Sequence, residues 1–194
     1  MGRDWKREEK RLYLPGGEPE RVTVPLAGYF CLDGRGHPAS DAFAEAVGLL
    51  YALSYGVRML PKQGPPPEGY EEYAIYPLEG IWDLTEEAKA AGRFGKDDLV
   101  YTLMIRQPGF VTGALAAEVL ENVRKKKRHP RLADARFESI EDGDCVQMMH
   151  IGPYDDEPAD FERMRGYCDA HGLVRTRLDH REIYLSDARK TAPD

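Results

Sequence analysis

The sequence predicts an α+β chain in which a strand–helix–strand–strand unit occurs twice, and three observations carry that expectation. The 194 residues are 42% hydrophobic and 31% charged, the balance of a globular chain long enough to bury a core. Apolar residues alternate at a spacing of two in several short runs and recur at three and four in the runs between them. The order of those runs is the same on both sides of residues 112–128. The boundaries that follow are an arm or short helix over 1–20 and a single domain over 21–194. Its first half covers about 21–112, a helix spans 112–128, and its second half covers about 140–194.

The first twelve residues read as a short charged helix or an arm, stopped by Pro15-Gly16-Gly17. A strand is predicted over Arg21 to Leu32, where Val22, Val24 and Leu26 alternate. Ser40 is placed to cap a helix in which Phe43, Val47, Leu50 and Leu53 form the core stripe, with Tyr51 and Tyr55 on its flank. Residues 63–69, QGPPPEG, hold three consecutive prolines and must be a loop. An irregular strand is expected over YEEYAIYPLEGIWDL, interrupted by Pro77 and Gly80, then a short helix from Glu86 to Ala91 ending at Gly92. LVYTLMIRQP is a strand closed by Pro108, and Thr112 to Lys127 is a helix with Leu115, Val119 and Val123 on one face. In the second half DCVQMMHIG reads as a strand. A helix carrying Phe161, Met164, Cys168 and His171 follows, with Pro158 in its first turn, and HREIYLSD is the closing strand.

The halves share letters as well as order. DAF at 41–43 has its counterpart in ADF at 159–161, and Ile75-Tyr76 in Ile183-Tyr184. Gly34, Gly48 and Ala52 lie at one common offset from Gly152, Gly166 and Ala170. By this count the second half lacks its last strand, because the chain reaches KTAPD where that strand is due.

Composition excludes several classes of function. A net charge of −7 disfavours a protein that wraps nucleic acid, since that affinity comes from excess Lys and Arg. The one basic run, Arg124 to His129, sits at a helix C-terminus, where cations complement the helix dipole. No apolar run approaches membrane-spanning length, and no secretory leader is visible at the start. Three scattered cysteines fit a reducing, cytoplasmic setting. The five histidines show no metal-ligand spacing, and DGRGHP lacks the third glycine of a dinucleotide loop, so neither a metal nor a cofactor is expected.

Eleven tyrosines against six phenylalanines ask for a role that core packing alone does not supply. In HREIYLSD, Glu182 and Tyr184 alternate with Ile183 and Leu185 and so share one sheet face. That face is either solvent, as polar alternation in a sheet allows, or the wall of a site. Tyr76, Trp82 and Tyr101 are large aromatics on other strands, and such groups gather where something binds. Tyr154, in HIGPYDDEP, is required by neither a turn nor a cap, and is open between a lid over the core and a ligand wall. A glutamate among aromatic rings would be desolvated and thereby made a usable base.

The segments LYALSYGVRM (50–59), YPLEGIW (76–82), YTLMIRQPGFVT (101–112), CVQMMHIGPYDDEP (145–158) and REIYLSD (181–187) together resemble the GyrI-like small-molecule-binding family. The resemblance is closest to a stand-alone bacterial subfamily without a DNA-binding domain. It implies a pseudo-twofold duplication (the SHS2 arrangement), an antiparallel sheet with helices, and a central ligand groove. That subfamily includes hydrolases of the cyclopropane ring in yatakemycin-type DNA-alkylating compounds, which use an aromatic cage. The family's buried glutamate matches Glu182. The resemblance makes Trp82, Tyr101, Tyr154 and Tyr184 the cage candidates, followed by Tyr55 and Tyr76; Glu182 as base and Tyr184 as a phenol donor are the catalytic candidates. The implied partner is a flat hydrophobic small molecule, bound by a monomer or homodimer, with no nucleic acid or membrane. Arg181 and Ala188 stand where relatives often carry His and Pro, and relatives continue past TAPD into a final strand. The alternative from another class is a binding module that sequesters or senses lipophilic cations, with Glu182 pairing the charge. A third reading is an antagonist of a protein such as gyrase.

Overall fold

The computed structural model describes residues 2–93 and 95–186, apart from the Asp155 side chain. In chain order the elements are α1 (Trp5–Glu8), α2 (Lys10–Tyr13), β1 (Glu20–Val24), β2 (Ala27–Arg35), α3 (Asp41–Arg58), β3 (Leu78–Leu84) and α4 (Glu86–Ala91). They continue as β4 (Leu99–Arg106), α5 (Gly113–Lys127), β5 (Arg136–Ile140), β6 (Gly143–Gln147), α6 (Glu157–Ala170) and β7 (His180–Tyr184). The chain is therefore α+β, as expected, and its strands form a five-stranded sheet ordered β5-β2-β4-β3-β7 and a two-stranded sheet, β1-β6. The pairs β1–β6, β2–β4, β2–β5 and β3–β4 are all antiparallel.

Two compact units result. The first takes residues 27–140 and 179–183 together with the start of the chain up to Arg3. The second takes 4–26, 141–178 and 184–186 of the described residues.

In the first unit, β2 and β4 turn Phe30, Leu32, Leu103 and Ile105 to one face, which α3 covers, and α5 packs against α3 and β5. Ser40 starts α3 by accepting the Phe43 N–H, and Thr112 starts α5 by accepting the Leu115 N–H. α3 buries Ala46, Leu49, Leu50, Leu53, Ser54 and Val57, and α5 buries Ala116, Val119, Leu120 and Val123. Gly56 sets the helix spacing, because a Cβ there would lie 2.9 Å from Val119 Cγ1. Each fully buried Leu or Val in this layer contributes about 1.5–3 kcal/mol of transfer free energy. On the opposite face Tyr29, Cys31 and Met104 form a smaller apolar cluster with Ala27, Ile81 and Ile140.

In the second unit Trp5 packs on Tyr13 with ring centroids 5.2 Å apart, and β1 pairs β6 from Glu20–Gln147 to Val24–Gly143. α6 is tied to the turn before β1 by Arg163, which donates to the Gly17 carbonyl and the Glu18 carboxylate. None of the residues of α6 is buried.

Three expectations change. The strand predicted over 21–32 is two strands, because Pro25 has no N–H to donate and β1 and β2 join different sheets on either side of it. The irregular strand expected from Tyr70 contracts to β3, after Pro77; its upstream part makes only an isolated bridge, Arg3–Tyr73. β5 was not foreseen. Its sequence, RFESI, offers one buried-facing aromatic between charges, too weak an alternation to read as a strand. The expected missing strand and the departure at Ala188 concern residues 187–194, which lie outside the described residues. No described helix is long and apolar enough to cross a membrane.

Candidate functional site

The strand alternation of β3 divides its side chains cleanly. Leu78, Gly80, Trp82 and Leu84 face α3, while Glu79, Ile81 and Asp83 face the other side. Trp82 stands directly across from Tyr101 on β4, and their rings meet at 5.0 Å between centroids, tilted by 54°. Phe43 completes the group from the first turn of α3. Its ring is 6.0 Å from Trp82, stacked, and 5.2 Å from Tyr101, edge-on. The Ser40 cap fixes where that turn begins and hence where Phe43 lands.

Tyr101 lies down because of the residue opposite it. On β2 its partner is Gly34, and a Cβ at that position would come within 2.3 Å of the Tyr101 ring. Trp82 and Tyr101 are each only 4% exposed, so Phe43 and the sheet cover most of their surface. The Tyr101 hydroxyl is buried with no hydrogen-bond partner among the described residues, and burial raises its pKa.

β7 lies beside β3 at the sheet edge. Its Arg181 reaches Glu79 and Tyr29, so Arg181 points to the side away from α3. By alternation His180 and Glu182 point to the side that carries Trp82 and Tyr101. The Glu182 side chain is 21% exposed, and its Oε1 lies 3.1 Å from His180 Nε2. A carboxylate can only accept, so the ring nitrogen donates.

The remaining sequence candidates are distributed as follows. Tyr76 precedes β3, is buried, and has the Arg106 guanidinium 5.0 Å from its ring centroid. Tyr55 stands on α3 and is 54% exposed. Tyr184 ends β7, two residues beyond Glu182. Tyr154 belongs to the second unit, in the 3₁₀ turn that precedes α6, and is 48% exposed. Thus Trp82 and Tyr101 are in contact, Glu182 shares their sheet face, and Tyr55 is on the surface.

Two groups on this sheet face, one beside Glu182 and one on the aromatic pair, escaped the sequence reading. His180 was legible only as a strand residue, although its spacing of two from Glu182 already put both on one face. Phe43 was legible as core, and nothing in the sequence tied it to Trp82 and Tyr101. Near Tyr154, a further pair closes the loop before α6: His150 Nδ1 is 2.7 Å from Asp160 Oδ2 and its Nε2 is 3.2 Å from the Pro153 carbonyl. Both partners offer acceptor oxygens, an arrangement that favours the protonated imidazolium. The hydrogen bond to Asp160, more than any other cause, raises the His150 pKa.

α6 presents Phe161, Met164 and Cys168 as a half-buried stripe at helical spacing. Ile151, Val174 and Leu178, in the segments that flank it, are strongly exposed.

Residues 76–194 match the GyrI-like small molecule binding domain. Over nearly their whole lengths two crystal structures from Listeria innocua superpose on the chain. A hydrolase is 34% identical at a TM-score of 0.87, with 98% of this chain and 93% of that chain covered. An uncharacterized conserved protein is 36% identical at a TM-score of 0.87, covering 98% and 94%. The EcmrR C-terminal domain shares the fold at 9% identity, with a TM-score of 0.50 over 90% of this chain and 87% of its own. No curated protein matches the sequence.

Proposed function

The chain belongs to the GyrI-like small-molecule-binding family, and from that premise we propose that it binds flat hydrophobic compounds and hydrolyses the cyclopropane ring of yatakemycin-type alkylators. The observation that carries the proposal is Glu182, held by His180 on the sheet face of the Trp82–Tyr101 pair. The similarity to a Listeria innocua hydrolase adds weight to turnover over binding alone.

The chemistry asks for little. The substrate's strained cyclopropane is conjugated to a dienone inside a flat aromatic body. Water attacks the ring methylene and the adjacent carbon–carbon bond breaks. Its electron pair passes through the dienone to the ketone oxygen, which becomes a phenol once it takes a proton. Glu182 would accept the water's proton in this step. Tyr184 would donate to the oxygen as charge develops there. Strain release and aromatisation supply the drive, so one base and a wall of rings suffice. A ligand that displaced Phe43 from Trp82 and Tyr101 would gain about 0.5–1.5 kcal/mol per ring pair beyond area.

The test is incubation with a yatakemycin-type compound, read by mass for the addition of one water. Wild type is expected to convert it, and Glu182→Gln to be slower by about 10²–10⁴-fold, the range for a lost general base. Conversion by the variant at the wild-type rate would overturn the assignment of the base. Tight binding of a lipophilic cation without any turnover would favour the non-catalytic reading, in which Glu182 pairs the cation.

A further inference from the structure

Glu79 is 1% exposed, the most deeply buried carboxylate among the described residues, and the aromatic face does not use it. It projects from β3 to the side away from α3. There Arg181 Nη1 donates to its Oε2 at 2.8 Å and to the Tyr29 hydroxyl at 3.1 Å. The guanidinium also lies 5.3 Å from the Tyr29 ring centroid. Tyr29 is itself buried, and its phenol is pushed up to about 12, by burial first and by the neighbouring Glu79 second. An ion pair at this depth is an expensive way to hold two strands together, since apolar residues of similar volume commonly do so at equal or better stability. What a buried pair adds is discrimination between registers.

β7 is where such discrimination is needed. It is a five-residue strand at the edge of the sheet formed by the described residues. A slip of one residue would exchange its two faces, carrying Glu182 away from the aromatic side and placing Arg181 there instead. We propose that Glu79, Arg181 and Tyr29 form a register lock: Arg181, keyed into Glu79 on one face of the sheet, holds the adjacent Glu182 on the other. Arg181 is in this sense a positioning residue, and Glu79 its counter-charge. The lock is a claim about β7, and its effect on turnover rests on Glu182 being the working carboxylate.

Two readouts separate these claims. Amide hydrogen exchange in Arg181→Met is expected to quicken across 180–184 by at least tenfold while β2 and β4 keep their protection. Unchanged exchange in β7 would overturn the lock. With a yatakemycin-type compound, Arg181→Met is expected to lose at least tenfold in kcat with KM within about twofold, because the base is misplaced and the rings are intact. Arg181→Lys, which keeps the charge on a shorter reach, is expected to recover part of that loss. If Arg181→Met leaves kcat unchanged although β7 exchanges faster, the positioning role is overturned. If Arg181→Met unfolds, the double variant Glu79→Gln/Arg181→Met removes both charges together and is read in the same way. Should wild type not convert the compound at all, the hydrolase reading fails, while the exchange experiment still decides the lock.

Discussion

α3 and α6 occupy the same place in the two halves, each following a strand and a glycine turn, yet they do opposite things with their apolar residues. α3 buries six side chains against a sheet and a second helix. α6 buries none and leaves Phe161, Met164 and Cys168 half covered. Their sequences differ accordingly: α3 is AVGLLYAL at its centre, while α6 is FERMRGYC, with charges interrupting the stripe. One helix is a stability element. The other keeps apolar surface accessible.

Substitutions can break this contrast, and the largest effect belongs to α3. Leu53→Ala removes a fully buried side chain and is expected to cost about 2–5 kcal/mol in urea unfolding. Gly34→Ala drives a Cβ into the Tyr101 ring and is expected to cost about 1–3 kcal/mol, with a change in tyrosine and tryptophan fluorescence as the ring is displaced. Phe161→Ala in α6 should cost about 1 kcal/mol or less in the same unfolding assay, while weakening a flat aromatic probe by about tenfold in a titration. Equal stability losses in Leu53→Ala and Phe161→Ala would erase the distinction between the helices.

The smallest effect is a pH dependence confined to the second unit. The His150 pKa is raised in the folded protein by Asp160, so protons bind the folded form more tightly. Its stabilising contribution is fully present below the ordinary histidine value, about 6.5, and is lost as pH rises through the raised folded value. Thermal unfolding from pH 5 to 9 should show wild type above His150→Gln at the acid end, with the two curves converging at the alkaline end. Parallel curves would mean that His150 is neutral in the fold.

Much of this architecture was legible from periodicity and punctuation. Ser40 caps α3 through its side-chain oxygen, and Gly92 ends α4 in the left-handed conformation. Alternation in β7 put Glu182 and Tyr184 on one face before any neighbour was known. What escaped were pairings between distant residues. RFESI becomes a strand only because β2 offers it an edge, and Glu79 is buried only because Arg181, about a hundred residues later, comes to meet it. Local sequence reports the period of a segment, and it is silent about the segment that will lie beside it. For the same reason the aromatic face was readable as a set of rings, whereas the Phe43 cover and the glycine beneath Tyr101 were not.

The division into units has a consequence for how this protein can be cut or shuffled. The chain passes from one unit to the other after residues 3, 26, 140, 178 and 183. Neither unit is a continuous stretch, and each holds strands from both halves: β1 pairs with β6, and β2 pairs with β5. The duplication visible in the sequence and the compact bodies visible in space are thus two different partitions of one chain. No single scission releases either body, and a graft from a relative that respects the repeat boundary would split both. The unit of inheritance here is the whole interleaved thread.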